Sequence, residues 1–304
     1  MKKFLQRRLL PQLKNTMRPV DLKTKIFLDG GDPAETKAII DQLGFLDGQT
    51  TNPTLIAKNP AAQERVARGE KFSQDEVYDF YRGVVTEMSQ LIPNGSISIE
   101  VYADATTSAE AMYQQAVKFN TWIPNAHIKY PITAAGLAAA EHSVRDGLRV
   151  NMTLCFSQEQ AAAVYAATAG ATKGQVFISP FVGRLDDRGE NGMDLIANIL
   201  KMYQPGDGHV EVLVASVRSL DHFLAALAVG SDIITAPASV LRAWAEGGLA
   251  VPDSNFSYQP ATVAPVAYRD IIVTQPWSRY DISHPLTNQG LERFVKDWQS
   301  IIAW

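Results

Sequence analysis

The chain has 304 residues, 46 % hydrophobic and 20 % charged, with a net charge of −4; nothing in that balance favours a nucleic-acid or membrane partner. A single cysteine, Cys155, excludes an internal disulfide framework, and no stretch approaches the roughly 18 apolar residues of a membrane span. The reading is a cytoplasmic protein with a small, neutral-to-anionic ligand, long enough for one α/β barrel.

Residues 1–22 read as a basic arm, without an acidic residue before Asp21; Arg7, Arg8 and Pro11 interrupt it where a secretory signal needs an apolar core. Eight β-rich runs follow: KIFLD (25–29), FLDGQTT (45–51), SISIEV (96–101), AHIKYP (126–131), RVNMTLC (149–155), QVFISPF (175–181), HVEVLVASV (209–217) and DIITAP (232–237). Helical punctuation lies between them. Asp32 is placed as an N-cap before Pro33, with Gly44 as the stop. Ser73 with Glu76, and Ser157 with Gln160, have capping-box spacing, with Gly170 closing the second helix, and Ser219 caps SLDHFLAALAVG. TSAEAMYQQAVKFN and TAAGLAAAEHSVRDG read as helices, and the stretch between the second and third runs has room for two, 54–68 and 73–91.

Strand and helix alternating eight times predict a closed (β/α)8 barrel as a single domain: arm 1–22, barrel 23–251, a proline- and aromatic-rich excursion 252–284, and a closing helix 285–304 that carries QGLERFVKDWQS. No GxGxxG follows the first run, against a dinucleotide fold. Exposed aromatics in the excursion, with Trp298 and Trp304, suggest a partner surface and hence a homo-oligomer.

Active sites of such barrels lie at the C-terminal ends of the strands, and polar residues fall there on nearly every run. They are Asp29, Asn52 just past the second, Glu100, Lys129, Asn151 and Thr153, Ser179, and Ser216 with Arg218; Arg184 follows in the loop FVGRLDD. Lys129 is the telling one. Imine chemistry needs a neutral amine, and only about 0.04 % of a free lysine is neutral at pH 7; lowering its pKa by about three units takes ~4 kcal/mol. Desolvation inside a barrel can supply that where a surface cannot. His127, two before Lys129, is read as a structural histidine deeper in the barrel, and Cys155 as core. Asp186 and Asp187 are read as orienting Arg184 or its loop. The five histidines form no HxH or HxxxH pair, so no metal and no cofactor is expected.

LDGGD with QTTNPTLI, then IEVYAD, IKYPIT, NMTLCFS, SPFVGRLDD and ASVR, in that order, resemble the transaldolase and fructose-6-phosphate aldolase family from about Lys25 to Ser239, resuming at HPLTNQGLERFVKDW. The resemblance implies a metal-independent class I aldolase-type barrel that moves a dihydroxyacetone unit between sugar phosphates. It implies Lys129 as the Schiff-base lysine and Asp29 as the acid/base. Glu100 and Thr153 would hold the water of imine formation, with Asn52, Asn151 and Ser179 on the dihydroxyacetone hydroxyls. Arg184 and Arg218 would clamp phosphate, with Ser216 and Phe181 lining the substrate. Glutamate at Glu100 and phenylalanine at Phe181 are the transferase pattern, where the lyase typically has glutamine and tyrosine. The alternatives are a lyase releasing free dihydroxyacetone, a transaldolase for a modified sugar such as a sulfonate, and a non-catalytic sugar-phosphate-binding barrel.

Overall fold

The structure, a computed structural model, describes residues 18–253, 255–259 and 262–303. Eight parallel strands, each hydrogen-bonded to its sequence neighbour, close when the last pairs with the first. In chain order the elements are β1 (Lys25–Asp29), α1 (Pro33–Leu43), β2 (Gly48–Thr50), α2 (Pro53–Ala57), α3 (Pro60–Ala67), α4 (Gln74–Leu91), β3 (Ser96–Glu100) and α5 (Ala109–Asn120). Then come β4 (Ala126–Pro131), α6 (Ala134–Arg145), β5 (Val150–Cys155), α7 (Gln158–Ala167), β6 (Val176–Pro180), α8 (Val182–Asp186) and α9 (Gly192–Tyr203). The chain ends with β7 (Val210–Val214), α10 (Leu220–Ala228), β8 (Ile233–Ala236), α11 (Ala238–Glu246), a 3-10 turn at Trp277–Arg279, and α12 (Pro285–Ile301). The predicted (β/α)8 barrel is the observed fold. No described helix is long and apolar enough to cross a membrane.

The helix starts follow the local chemistry. Asp32 accepts from the Ala34 amide, and Gly44 ends α1 in the left-handed region, φ 80°, where a side chain would be strained. Ser73 and Glu76 form the reciprocal capping box, and Ser108, Thr133 and Ser219 cap α5, α6 and α10. Ser157 caps α7, but Gln160 does not close a box. Its Oε1 accepts from Phe156 N at 2.7 Å and its amide donates to Ile282 O and Thr287 Oγ1 at 3.0 and 2.8 Å, tying α7 to the C-terminal segment. Gly170 does not close α7 either, which ends at Ala167.

Three helices, rather than two, fill the β2–β3 connection. Pro60 cannot continue α2, and Asn59 caps a fresh helix by accepting from Ala61 N. The stretch around Arg184 is helical, as α8, instead of loop. The seventh strand stops at Val214, so Ser216 and Arg218 lie just past it; Ser216 has φ 58° and turns the chain away. The closing helix starts at Pro285, as its expected bounds have it, and runs to Ile301.

Inside the barrel the layers differ in chemistry. At the N-terminal end Phe27 meets Phe177 edge-on at 6.1 Å, and His127 stacks on Phe177 at 4.0 Å. Burial pushes the His127 imidazole down to about 3. It is therefore neutral: Nε2–H donates to Gly174 O (3.0 Å) and Nδ1 accepts from Ser96 Oγ (2.7 Å). This is the structural histidine expected. Cys155 is buried core. Above the aromatic plug the inward residues are polar, and the parallel register sets Glu100 beside Lys129 and Lys129 beside Asn151.

Trp298 is not a partner surface. It packs edge-on against Tyr81 at 5.9 Å and is 4 % exposed. Trp304 and most of the basic arm lie outside the described residues; Arg18, where the description begins, donates to both Asp47 carboxylate oxygens at 2.6 and 2.7 Å. The excursion runs over the outer helices, with the Trp277 indole donating to Glu141 and the Arg269 amide to Gln158.

Candidate functional site

The C-terminal mouth of the barrel opens on a cavity of about 370 Å³. Of the residues singled out from sequence, Asp29, Asn52, Lys129, Ser179, Phe181, Arg184, Ser216 and Arg218 line it. Glu100, Asn151 and Thr153 are buried immediately behind.

Lys129 is 3 % exposed. Its Nζ lies 2.9 Å from Glu100 Oε2 and donates to the Thr51 carbonyl at 3.2 Å, with the Phe294 ring 6.0 Å away. Two adjacent strands create the pair through their register. Desolvation pushes the Glu100 carboxyl above its usual range, opposed by the Lys129 charge.

Asp29 carries the second carboxyl. Burial raises it, while the Lys129 charge and a hydrogen bond from Thr50 Oγ1 to its Oδ1 (2.7 Å) act the other way. The Thr50 proton is thus committed to Asp29, so Thr235 must be the donor in its 2.6 Å contact with Thr50. Two carboxyls and one amine thus meet at the base of the mouth, Glu100 and Lys129 buried and Asp29 partly exposed.

Asn151 Oδ1 accepts from Ser179 Oγ at 2.7 Å and its amide donates to Ser98 Oγ at 3.0 Å. Asn52 Oδ1 is held by the Leu55 amide as the cap of α2, leaving Nδ2 toward the cavity. Thr153 Oγ1 is buried without a hydrogen-bond partner. It stands at a β-bulge: the β5–β6 register shifts between Met152 and Cys155, and Leu154 takes φ 61°, a left-handed turn costing about 1–2 kcal/mol. Thr287 Oγ1 on α12 secures the bulge by donating to Leu154 O at 2.9 Å.

The rim is cationic. Arg184 lies between Phe181 (5.3 Å) and Phe294 (5.9 Å) and forms no ion pair among the described residues. Burial and the neighbouring Arg293 and Arg218 charges lower its pKa, with the Glu100 and Asp187 charges acting the other way. Arg218 instead is braced by Asp187 at 2.7 Å and accepts support through its backbone amide, which donates to His222 Nδ1 at 3.4 Å. His222 Nε2–H then donates to Asp186 at 2.7 Å. Asp186 also accepts from Gly192 N at 2.9 Å, so the two aspartates organise Arg218 and the loop, as the second half of the expectation has it, rather than Arg184. Gly183 permits the crossing, since a Cβ there would sit 2.5 Å from Arg218 Cγ.

Sequence reasoning missed Thr50, Thr235, Lys58, Arg293 and Phe294, all lining the mouth. Thr50 stood inside the QTTNP motif and Thr235 at the end of the eighth run, so the strand-end rule would have found both. Arg293 and Phe294 come from α12, and nothing in a helical pattern says that it covers the barrel. Among the described residues no group of three or more His, Cys, Asp or Glu is placed to hold a metal.

Fold and mouth together define a (β/α)8-barrel protein whose polar groups collect at the C-terminal strand ends. Residues 26–303 match the family described as Transaldolase/Fructose-6-phosphate aldolase. Relatives named "Probable transaldolase" from Brucella anthropi and from Caulobacter sp. strain K31 are 36 % and 37 % identical over 274 and 276 residues, in each case 90 % of this chain and 96 % of theirs. The chain belongs to the transaldolase/fructose-6-phosphate aldolase family. Among solved structures, 3-hexulose-6-phosphate synthase from Salmonella typhimurium aligns with a TM-score of 0.46 at 11 % identity over 75 % of this chain and 98 % of that one, too distant to speak to the site.

Proposed function

We propose that the protein is a transaldolase that carries a dihydroxyacetone unit from a ketose phosphate to an aldose phosphate as an imine on Lys129. The observation that carries this is the Lys129–Glu100 pair, 2.9 Å apart and buried beside Asp29 under a rim of arginines.

Lys129 passes a proton to Glu100 and its free amine adds to the ketose carbonyl. Glu100 returns the proton to the resulting hydroxyl, which leaves as water, and the unpartnered Thr153 hydroxyl is suited to hold that water. Asp29 takes the proton of the C4 hydroxyl as the C3–C4 bond breaks; the bonding electrons flow into the iminium and leave an enamine. The first aldose departs. An acceptor aldehyde is then attacked by the enamine carbon, Asp29 protonates the new alkoxide, and water releases the product. Asn52, Asn151 and Ser179 suit the three-carbon hydroxyls. Arg184, Arg218 and Ser216 suit the phosphate, since a guanidinium fork binds it bidentately. Phe181 presents no proton to the enamine carbon, which favours transfer over release.

Fructose 6-phosphate with borohydride is expected to add one reduced three-carbon unit at Lys129, read by peptide mass, and none in Lys129→Met. An unlabelled Lys129 rejects the mechanism. Sustained turnover without an aldose acceptor would instead make the protein a lyase.

A further inference from the structure

Tyr81 belongs to α4, outside the barrel, yet its hydroxyl ends among the groups that support Lys129. The side chain is 1 % exposed, and its ring is held edge-on by Trp122, Trp298 and Phe119 at 5.8, 5.9 and 6.4 Å. The phenol has two partners. The Glu100 backbone N–H donates to it at 3.0 Å, and it lies 2.5 Å from Thr51 Oγ1.

The proton directions are fixed by valence. Thr51 Oγ1 has one proton and spends it on the Ser98 carbonyl at 2.6 Å, which can only accept. Tyr81 must therefore donate to Thr51, giving a one-way chain: Glu100 N–H to Tyr81, Tyr81 O–H to Thr51, Thr51 O–H to Ser98. Burial keeps the phenol protonated, its pKa raised well above the ordinary value. Both residues that hold the Lys129 amine, Glu100 through its carboxylate and Thr51 through its carbonyl, are thus tied to one hydroxyl.

We infer that Tyr81 is a positioning residue for the lysine: it fixes the proton receiver Glu100 and the Thr51 carbonyl relative to each other, and so sets the rate at which Lys129 forms its imine. This rests on the imine reading above. It gives α4 a role in the chemistry without contact with substrate.

Tyr81→Phe removes the oxygen while keeping the ring packing. It leaves the Glu100 amide without an acceptor and Thr51 without a donor, and does not touch Arg184 or Arg218. The expected result is a fall of about tenfold in kcat and in the rate of borohydride trapping at Lys129, with KM for fructose 6-phosphate unchanged. A purely structural role would lower the melting temperature and the active fraction but leave the rate per trappable lysine at the parent value, and that outcome overturns the inference. Thr51→Val breaks the same chain from the barrel side and decides the matter if Tyr81→Phe does not fold. It should show the same kcat-selective loss, and Thr51→Ser, which restores the hydroxyl, should recover most of it. If the parent traps at Lys129 and the variants match its rate, this inference alone fails; if the parent does not trap, the imine reading fails and takes this one with it.

Discussion

Asp29 is a carboxyl whose burial outweighs the help it receives from Lys129 and Thr50. Its folded pKa lies above the ordinary value of 3.8, so the native state keeps this proton to a higher pH than the unfolded chain does. Stability from this group is complete below the unfolded value and is lost as pH rises toward the folded one. Asp29→Asn should therefore stabilise the protein more at pH 7 than near pH 4, while turnover collapses; paired thermal melts at the two pH values check the sign. At the rim, Arg184 forms no ion pair among the described residues. Arg184→Ala should raise KM for a phosphorylated donor about ten- to hundredfold, ~1.5–3 kcal/mol, and leave an unphosphorylated sugar unaffected in steady-state kinetics. Residue identity was legible wherever a polar group interrupts a strand end. For Glu100 and Lys129 the sequence offers neighbouring strand ends and a possible pair, but only the interstrand register brings them to 2.9 Å.

The closing helix α12 shows what an element contributes beyond its own sequence. Gly290 lies against the β5 bulge: a Cβ there would meet Leu154 Cδ2 at 2.6 Å and Arg184 Nη1 at 2.8 Å. Gly290→Ala should push the helix from the bulge, costing about 1–3 kcal/mol of overpacking despite alanine's better helix propensity. Because Arg184 is displaced as well, KM for a phosphorylated donor should rise; melting curves together with kinetics read both effects. The helix and its start at Pro285 are readable in the sequence, but only the structure shows His284 capping it by accepting from Leu286 N. The break at Asn59–Pro60 was readable from local rules, and the two-helix reading passed over it. The left-handed turns at Leu154 and Ser216 could not be read, because neither residue type favours that conformation.

At the scale of the whole molecule, the excursion is a strap across the outer helices. Arg269 pairs with Glu159 at 2.8 Å, the Ala264 carbonyl accepts from Asn191 N at 2.8 Å, and Trp277 reaches Glu141. None of its described residues lines the mouth. Trp277→Ala should lower stability by about 1–2 kcal/mol and leave kcat and KM unchanged; altered kinetics would show that the strap communicates with the site.

The sequence by itself determined the barrel, because β-rich runs and capped helices are local patterns and eight alternations close in only a few ways. It also brought Asp29, Lys129 and Ser179 to the mouth, since polar residues at barrel strand ends gather there. Tertiary structure alone decided which of them touch. The pairing of Lys129 with Glu100, the bracing of Arg218 by Asp187, the covering of the mouth by α12 and the reach of Tyr81 into the Lys129 support all join residues distant in the chain, and their distances follow from register and packing, which no local pattern encodes.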